Sequence, residues 1–206
     1  MNAPLLFSEQ ERRLIADTAF FPTKAVITDK VRNLLSQLRD ELREELAETR
    51  LRAPDGIDTQ HGQFVKGEHL LDFPYQYLDF PKFFSQGEMC TFRTLVWWGH
   101  HVVFALMLAG RDLGRYKENF LKAYDQLADQ QLSLLMTETP WEWRRGDDYL
   151  LPITRQNRAQ VAAALKARPF LKIHRLIDFD DPAFTEGKLA AEGRAAFRLM
   201  ARIAAP

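Results

Sequence analysis

Cys90-Thr-Phe-Arg-Thr-Leu-Val-Trp-Trp98 runs through Gly99-His100-His101 into Val102-Val-Phe-Ala-Leu-Met-Leu108. The first run is rich in β-formers, and the second opens with them. Gly99-His100 between them suits a two-residue turn with glycine first. The apolar stretch from Leu95 to Gly110 is shorter than the roughly 20 residues a membrane helix needs. Two adjacent histidines in its middle would also be costly in lipid. The segment therefore reads as a buried β-hairpin, and that reading sets the fold class.

Upstream of the hairpin, Asp72-Phe73-Pro74 recurs as Asp79-Phe80-Pro81, with Tyr75, Tyr77, Phe83 and Phe84 nearby. The two prolines exclude a regular helix. An irregular aromatic segment is expected here, either covering the core or walling a ligand pocket. Further back, Arg52 to Gly67 lacks periodicity and carries Pro54-Asp55-Gly56, a turn signal. A soft boundary falls there, between an N-terminal helical arm (residues 1–52) and an α+β body (residues 53–206). In the arm, Ser8 and Glu11 form a capping box for a short helix. A longer helix follows the Phe20-Phe21-Pro22 corner, with Ile27, Val31, Leu34, Leu38, Leu42 and Leu46 on one face.

Downstream, Tyr116, Phe120, Ala123, Leu127 and Leu134 predict a helix over 115–135. Trp141 to Arg144 and Asp148 to Leu151 read as a second hairpin around Gly146-Asp147. Thr154 caps a helix that ends before Pro169, and Phe170 to Ile177 reads as a strand. Asp181-Pro182 starts a last helix running to about Ile203. Hairpins pair antiparallel, so the chain is predicted to be α+β, with a mainly antiparallel sheet of about five strands under packed helices.

Basic and acidic residues number 28 each, so no positive field recruits nucleic acid or an anionic membrane. The single cysteine, Cys90, excludes an internal disulfide and reads as a buried, unreactive thiol. Met1 to Phe7 shows no basic, apolar leader, which with a free thiol suggests a cytoplasmic protein. Dinucleotide, phosphate-loop, zincin, serine-hydrolase and C-x-x-C motifs are missing, so no cofactor is indicated. His61, His69, His100, His101 and His174, with Glu68, Asp72 or Asp79, supply metal-ligand types, but none has diagnostic spacing. Asp178, Asp180 and Asp181 read as helix capping before they read as a cation site.

The most unusual string is Trp97-Trp98-Gly99-His100-His101. In a strand Trp97 and Trp98 face opposite sides, and Arg93 shares a side with Trp97. A cation beside aromatics suits an anion anchor, although a salt bridge is the plainer reading. A pocket walled by Tyr75, Tyr77, Trp97 or Trp98, with Arg93 and His100 as polar anchors, would bind a small, partly apolar ligand. A non-enzymatic assembly protein, pairing through the helix at residues 22–51, is the second reading. A metal-dependent hydrolase using His and Asp is the third.

The DFPYQYLDFP stretch (72–81), FRTLVWWGH (92–100) and TPWEW (139–143) together resemble a family of uncharacterised bacterial proteins over about residues 68–180. The order of elements is similar to that of YktB-like uncharacterised domains. The resemblance implies an α+β fold and carries over no activity and no catalytic residue.

Overall fold

A computed structural model describes residues 5–206; residues 1–4, at the head of the segment read for a leader, lie outside it. The sequence's hairpin is its centre. Strands β3 (Glu88–Trp97) and β4 (His101–Ala109) pair antiparallel from Met89 opposite Ala109 to Trp97 opposite His101. The turn holds three residues, Trp98 to His100, rather than two. Gly99 takes a positive φ of 72°, and a Cβ there would sit 2.7 Å from the Phe73 ring, so glycine is required on both counts.

Strand β7 (Phe170–Ile177) pairs with β4. Strand β5 (Leu132–Leu135) follows, then β6 (Leu150–Pro152); on the other side lie β2 (Phe73–Ser85) and β1 (Gln63–Leu70). The sheet order is β1-β2-β3-β4-β7-β5-β6, with every pairing antiparallel. The protein is α+β, and its sheet has seven strands where the sequence suggested about five.

Three strands were not expected from the sequence, β1, β2 and β5, and one expected strand, at Trp141 to Arg144, is absent. The segment read as irregular aromatic chain is β2, an interior strand. Pro74 stands at its start, and Pro81 lies in a register shift between Asp79 and Lys82, the two places a sheet tolerates proline. Polar β1 forms the sheet's edge beyond it. The predicted helix over 115–135 ends early. It divides into α3 (Leu113–Lys122) and α4 (Tyr124–Leu127), and positive φ at Asp129 and Gln131 turns the chain into β5. Trp141 to Arg144 is not a strand; its carbonyls are taken by side chains, as described below.

One face of the sheet carries the helices. Helix α1 (Glu9–Ile15) has the predicted Ser8–Glu11 capping box and buries nothing. Helix α2 (Phe20–Glu48) buries Val31, Leu35, Leu38 and Leu42. The part of the chain read as an arm thus enters the same core as the body. Helix α5 (Arg158–Lys166) contributes Val161 and Leu165 to that core. The predicted last helix breaks at Gly187 into α6 (Pro182–Thr185), capped by Asp181, and α7 (Leu189–Ala201).

Helix α7 lies against α2 and β4. Glu45 of α2 accepts from Arg194 at 3.0 Å and from Arg198 at 2.6 Å, and its carboxyl is held below the usual range by those two partners despite burial. The contact is close because α7 presents Gly193. A Cβ there would stand 2.7 Å from Phe104 and 2.9 Å from Leu38. Gly193→Val is therefore expected to push α7 off the sheet and cost about 2–3 kcal/mol in urea unfolding, although valine is the better helix former.

Candidate functional site

Among the described residues, no helix packs on the other face of the sheet. Alternation along the strands puts Tyr75, Tyr77 and Asp79 of β2, and Arg93, Leu95 and Trp97 of β3, on this side. Pairing sets Tyr75 opposite Trp97, Tyr77 opposite Leu95 and Asp79 opposite Arg93. The Arg93 guanidinium donates to both Asp79 oxygens, Nε to Oδ1 and Nη2 to Oδ2, each at 2.6 Å. Both residues are buried. Burial pushes the Asp79 carboxyl above its ordinary value, and the Arg93 fork recovers only part of that shift. The guanidinium carbon stands 3.8 Å from the centre of the Tyr77 ring and 5.4 Å from those of Trp141 and Trp143. Arg93 therefore sits in an aromatic box with its charge already matched.

Trp141 and Trp143 belong to the irregular segment 136–149, which covers this face in place of a helix. Cationic and neutral donors on the sheet hold it by its backbone. The Lys172 ammonium donates to the carbonyls of Pro140 at 2.7 Å and Glu142 at 2.8 Å, and stands 3.2 Å from the centre of the Trp143 ring. Arg168 donates to the carbonyls of Met136 and Thr137. His101 donates from Nε2 to the Trp143 carbonyl at 3.0 Å, which fixes its tautomer. At the outer end Arg145 pairs with Asp178 at 2.5 Å. The Glu142 carboxylate accepts from Arg144 and from two backbone N–H groups, which holds it down to about 2.

This face buries several groups that prefer water. Lys172 is fully buried and, among the described residues, has no direct carboxylate partner; burial and the nearby Arg93 charge push it well below the usual lysine range. Burial pushes His101 down to about 4 and His174 well below the usual histidine range. His174 stacks parallel to Trp143 at 5.9 Å, and among the described residues neither of its ring nitrogens has a partner.

Between segment 136–149 and the β1–β3 part of the sheet remains an open cavity of about 450 Å³. Tyr75, Tyr77, Phe84, Trp141 and Trp143 wall it, and Gln63, Asp79, Lys82 and Arg93 are its polar groups. Lys82 is the one lining cation that holds no ion pair among the described residues; it acts on Asp79 only at longer range. Three of the six residues picked from sequence, Tyr75, Tyr77 and Arg93, meet here. The other three do not line the cavity. Trp97 is buried next to it, donating its indole N–H to the Leu70 carbonyl at 3.0 Å. His100 stacks on Trp97 at 3.6 Å and meets Phe73 at 4.7 Å, within the hairpin turn. Trp98 opens onto an apolar groove on the helical side.

Sequence reasoning missed Lys82 and Gln63, and treated Asp79 only as a metal ligand. The available signal was the period-two spacing of Tyr75, Tyr77 and Asp79, which the flanking prolines obscured. Among the described residues, no three of His, Cys, Asp and Glu gather as metal ligands, and no helix is long and apolar enough to cross a membrane. Asp181 caps α6 and Asp178 holds Arg145. Cys90 is buried on the helical face, where desolvation pushes its thiol up to about 12.

Compared with family models, curated proteins and solved structures, the chain has no match.

Removing the central pin should loosen the cover. Lys172→Met keeps the bulk but leaves two carbonyls unpaired, so trypsin is expected to cut after Arg144 and Arg145 several-fold faster than in the parent chain. Acid should loosen it too. Between about 6.5 and about 4 the unfolded chain takes up the proton that folded His101 refuses. Stability is thus expected to fall as pH drops through that window, by on the order of 3 kcal/mol for this group. His101→Gln, which keeps an N–H donor and does not titrate, should flatten the pH dependence of Tm.

Proposed function

We propose that the protein binds a small, flat organic molecule with a largely apolar body and one acidic group, in the cavity beneath segment 136–149. One observation carries this reading: five aromatic side chains and one cation without an ion pair, Lys82, surround a single open cavity. Tyr75 and Tyr77 stack at 6.1 Å with their rings 6° from parallel, which presents a continuous π surface. Planar ligands lie well on such walls, and a few placed polar groups orient them.

The anchors differ from those the sequence suggested. Arg93 is neutralised by Asp79 and walled by rings, so its part is to stiffen the floor and offer its remaining N–H groups. His100 is held in the turn. Lys82 is left to meet the acidic group, and Gln63 to accept or donate at the rim. Nothing in this arrangement requires a reaction, and the reading is of a binding site.

Quenching of tryptophan emission tests it, with 1-naphthoate as the probe and 1-naphthamide as its uncharged counterpart. The expected result is saturable quenching by the naphthoate, with about tenfold weaker binding of the amide, the worth of one modest ionic contact. Lys82→Met should lose that preference, and Tyr77→Ala should weaken both probes. Trp98→Phe, on the opposite side of the sheet, should leave affinity unchanged. Equal binding to the parent chain and to Tyr77→Ala would sink the proposal.

A further inference from the structure

Among the described residues, twelve large hydrophobic side chains are exposed, and nine of them lie between Leu5 and Ile27. Leu5, Leu6, Phe7, Leu14, Ile15, Phe20, Phe21, Val26 and Ile27 range from 38% to 95% exposed. Scattered exposed hydrophobics need no explanation; a concentration in one short segment does. Helix α1 spans seven residues and is fully capped, yet none of its residues is buried. A helix that short gains little from propensity alone, so packing against something else would stabilise it.

The same chain offers a surface of matching character. An apolar groove of about 720 Å³ runs between α2, the Trp98-Gly99 turn and the α6–α7 corner. Ile27, Val31, Leu34, Val96, Trp98, Phe179, Phe184 and Leu189 give it its apolar lining, and Lys30 stands at it as the one charged group. Strip and groove are continuous. Phe20, Ile27 and Leu34 recur every seven residues on α2, so they share a helix face, and Ile27 belongs to both surfaces. Of the helix that the sequence offered for pairing, residues 22–51, the part from Val31 onwards buries Val31, Leu35, Leu38 and Leu42 in the chain's own core.

We infer that a second copy of this chain covers this surface. The two protomers are related by a two-fold axis, with Leu14, Ile15 and Phe20 of each seated in the groove of the other. A two-fold satisfies both strips and both grooves at once, because the contacting patch is the same on each copy. The area is sufficient. Phe21 and Val26 turn away from the Phe20–Ile27 face of α2; the other seven side chains together with the groove's own lining expose on the order of 1,000 Å², against the roughly 800 Å² per partner that a stable interface buries. Charge argues against a lipid surface as the occupant. Residues 5–27 carry Glu9, Glu11 and Asp17 against Arg12, Arg13 and Lys24, with no cationic excess for anionic headgroups.

Sedimentation velocity of the full chain at micromolar concentrations tests this. The expected species has twice the chain mass of 23.9 kDa. The double variant Leu14→Glu/Ile15→Glu changes only exposed side chains; it should keep the circular dichroism spectrum and dissociate about 100-fold more readily, the loss expected for two interface anchors. Trp98→Arg in the groove should do the same, with Thr185→Arg, an exposed groove residue outside the strip, as the replacement if Trp98→Arg misfolds. Mixing the strip variant with the groove variant should restore a dimer, since one intact strip then meets one intact groove. A parent chain that sediments at the monomer mass overturns the inference. So does a mixture that stays monomeric, and so does flotation of monomer with phosphatidylglycerol vesicles.

Discussion

Lys172 is the charge around which the second face of the sheet is organised. A buried lysine nitrogen needs acceptors for its N–H groups, and among the described residues no carboxylate pairs with this one. The fold supplies two carbonyl oxygens and an aromatic face instead. Those carbonyls belong to segment 136–149, so solvating Lys172 and closing this face are the same event. Trp143 is held between the Lys172 ammonium on its ring and His101 on its carbonyl, and it brings Trp141 into place beside it. The covering segment needs no helix or strand of its own, because its backbone polar groups are paired by side chains rising from β4, β7 and their flanks.

The two faces therefore follow different physics. On the helical side, burial of leucine, phenylalanine and alanine gives a conventional core, closed at its tightest by Gly193. On the other side, Arg93 with Asp79, and Lys172 with backbone carbonyls, lie among aromatic rings. Buried ionic groups of this kind add little net stability, but breaking one partner leaves a stranded charge.

Much of this fold was legible in the sequence. The β3–β4 hairpin, β7 and the capped starts of α1 and α6 announced themselves through β-formers or caps. Strand β2 did not, because Pro74 and Pro81 argue against any regular element until the register shift at Asp79–Lys82 is known. Strand β5 was hidden because Leu134 continues the helical spacing of Tyr116, Phe120, Ala123 and Leu127; only the left-handed backbone at Asp129 and Gln131 separates it from the helix. The site was legible in kind and not in membership. Aromatics and Arg93 stood out locally, whereas Lys82 joins the cavity through the β2 bulge, and Trp141 and Trp143 through a loop whose anchors are some thirty residues further along. Long-range pinning of that sort leaves no local pattern to read.

Cys90 gives the molecule a built-in clock. Its thiol is the only one in the chain, sits beneath the helical layer between β3 and α3, and is almost wholly un-ionised at neutral pH. A disulfide reagent in solvent can reach it only when the helices lift from the sheet. The rate of thiol labelling consequently counts openings of the helical side alone, and is blind to motions of the segment over the opposite face. A ligand that merely steadies that segment would leave the clock unchanged, whereas one that raises the stability of the whole chain would slow it.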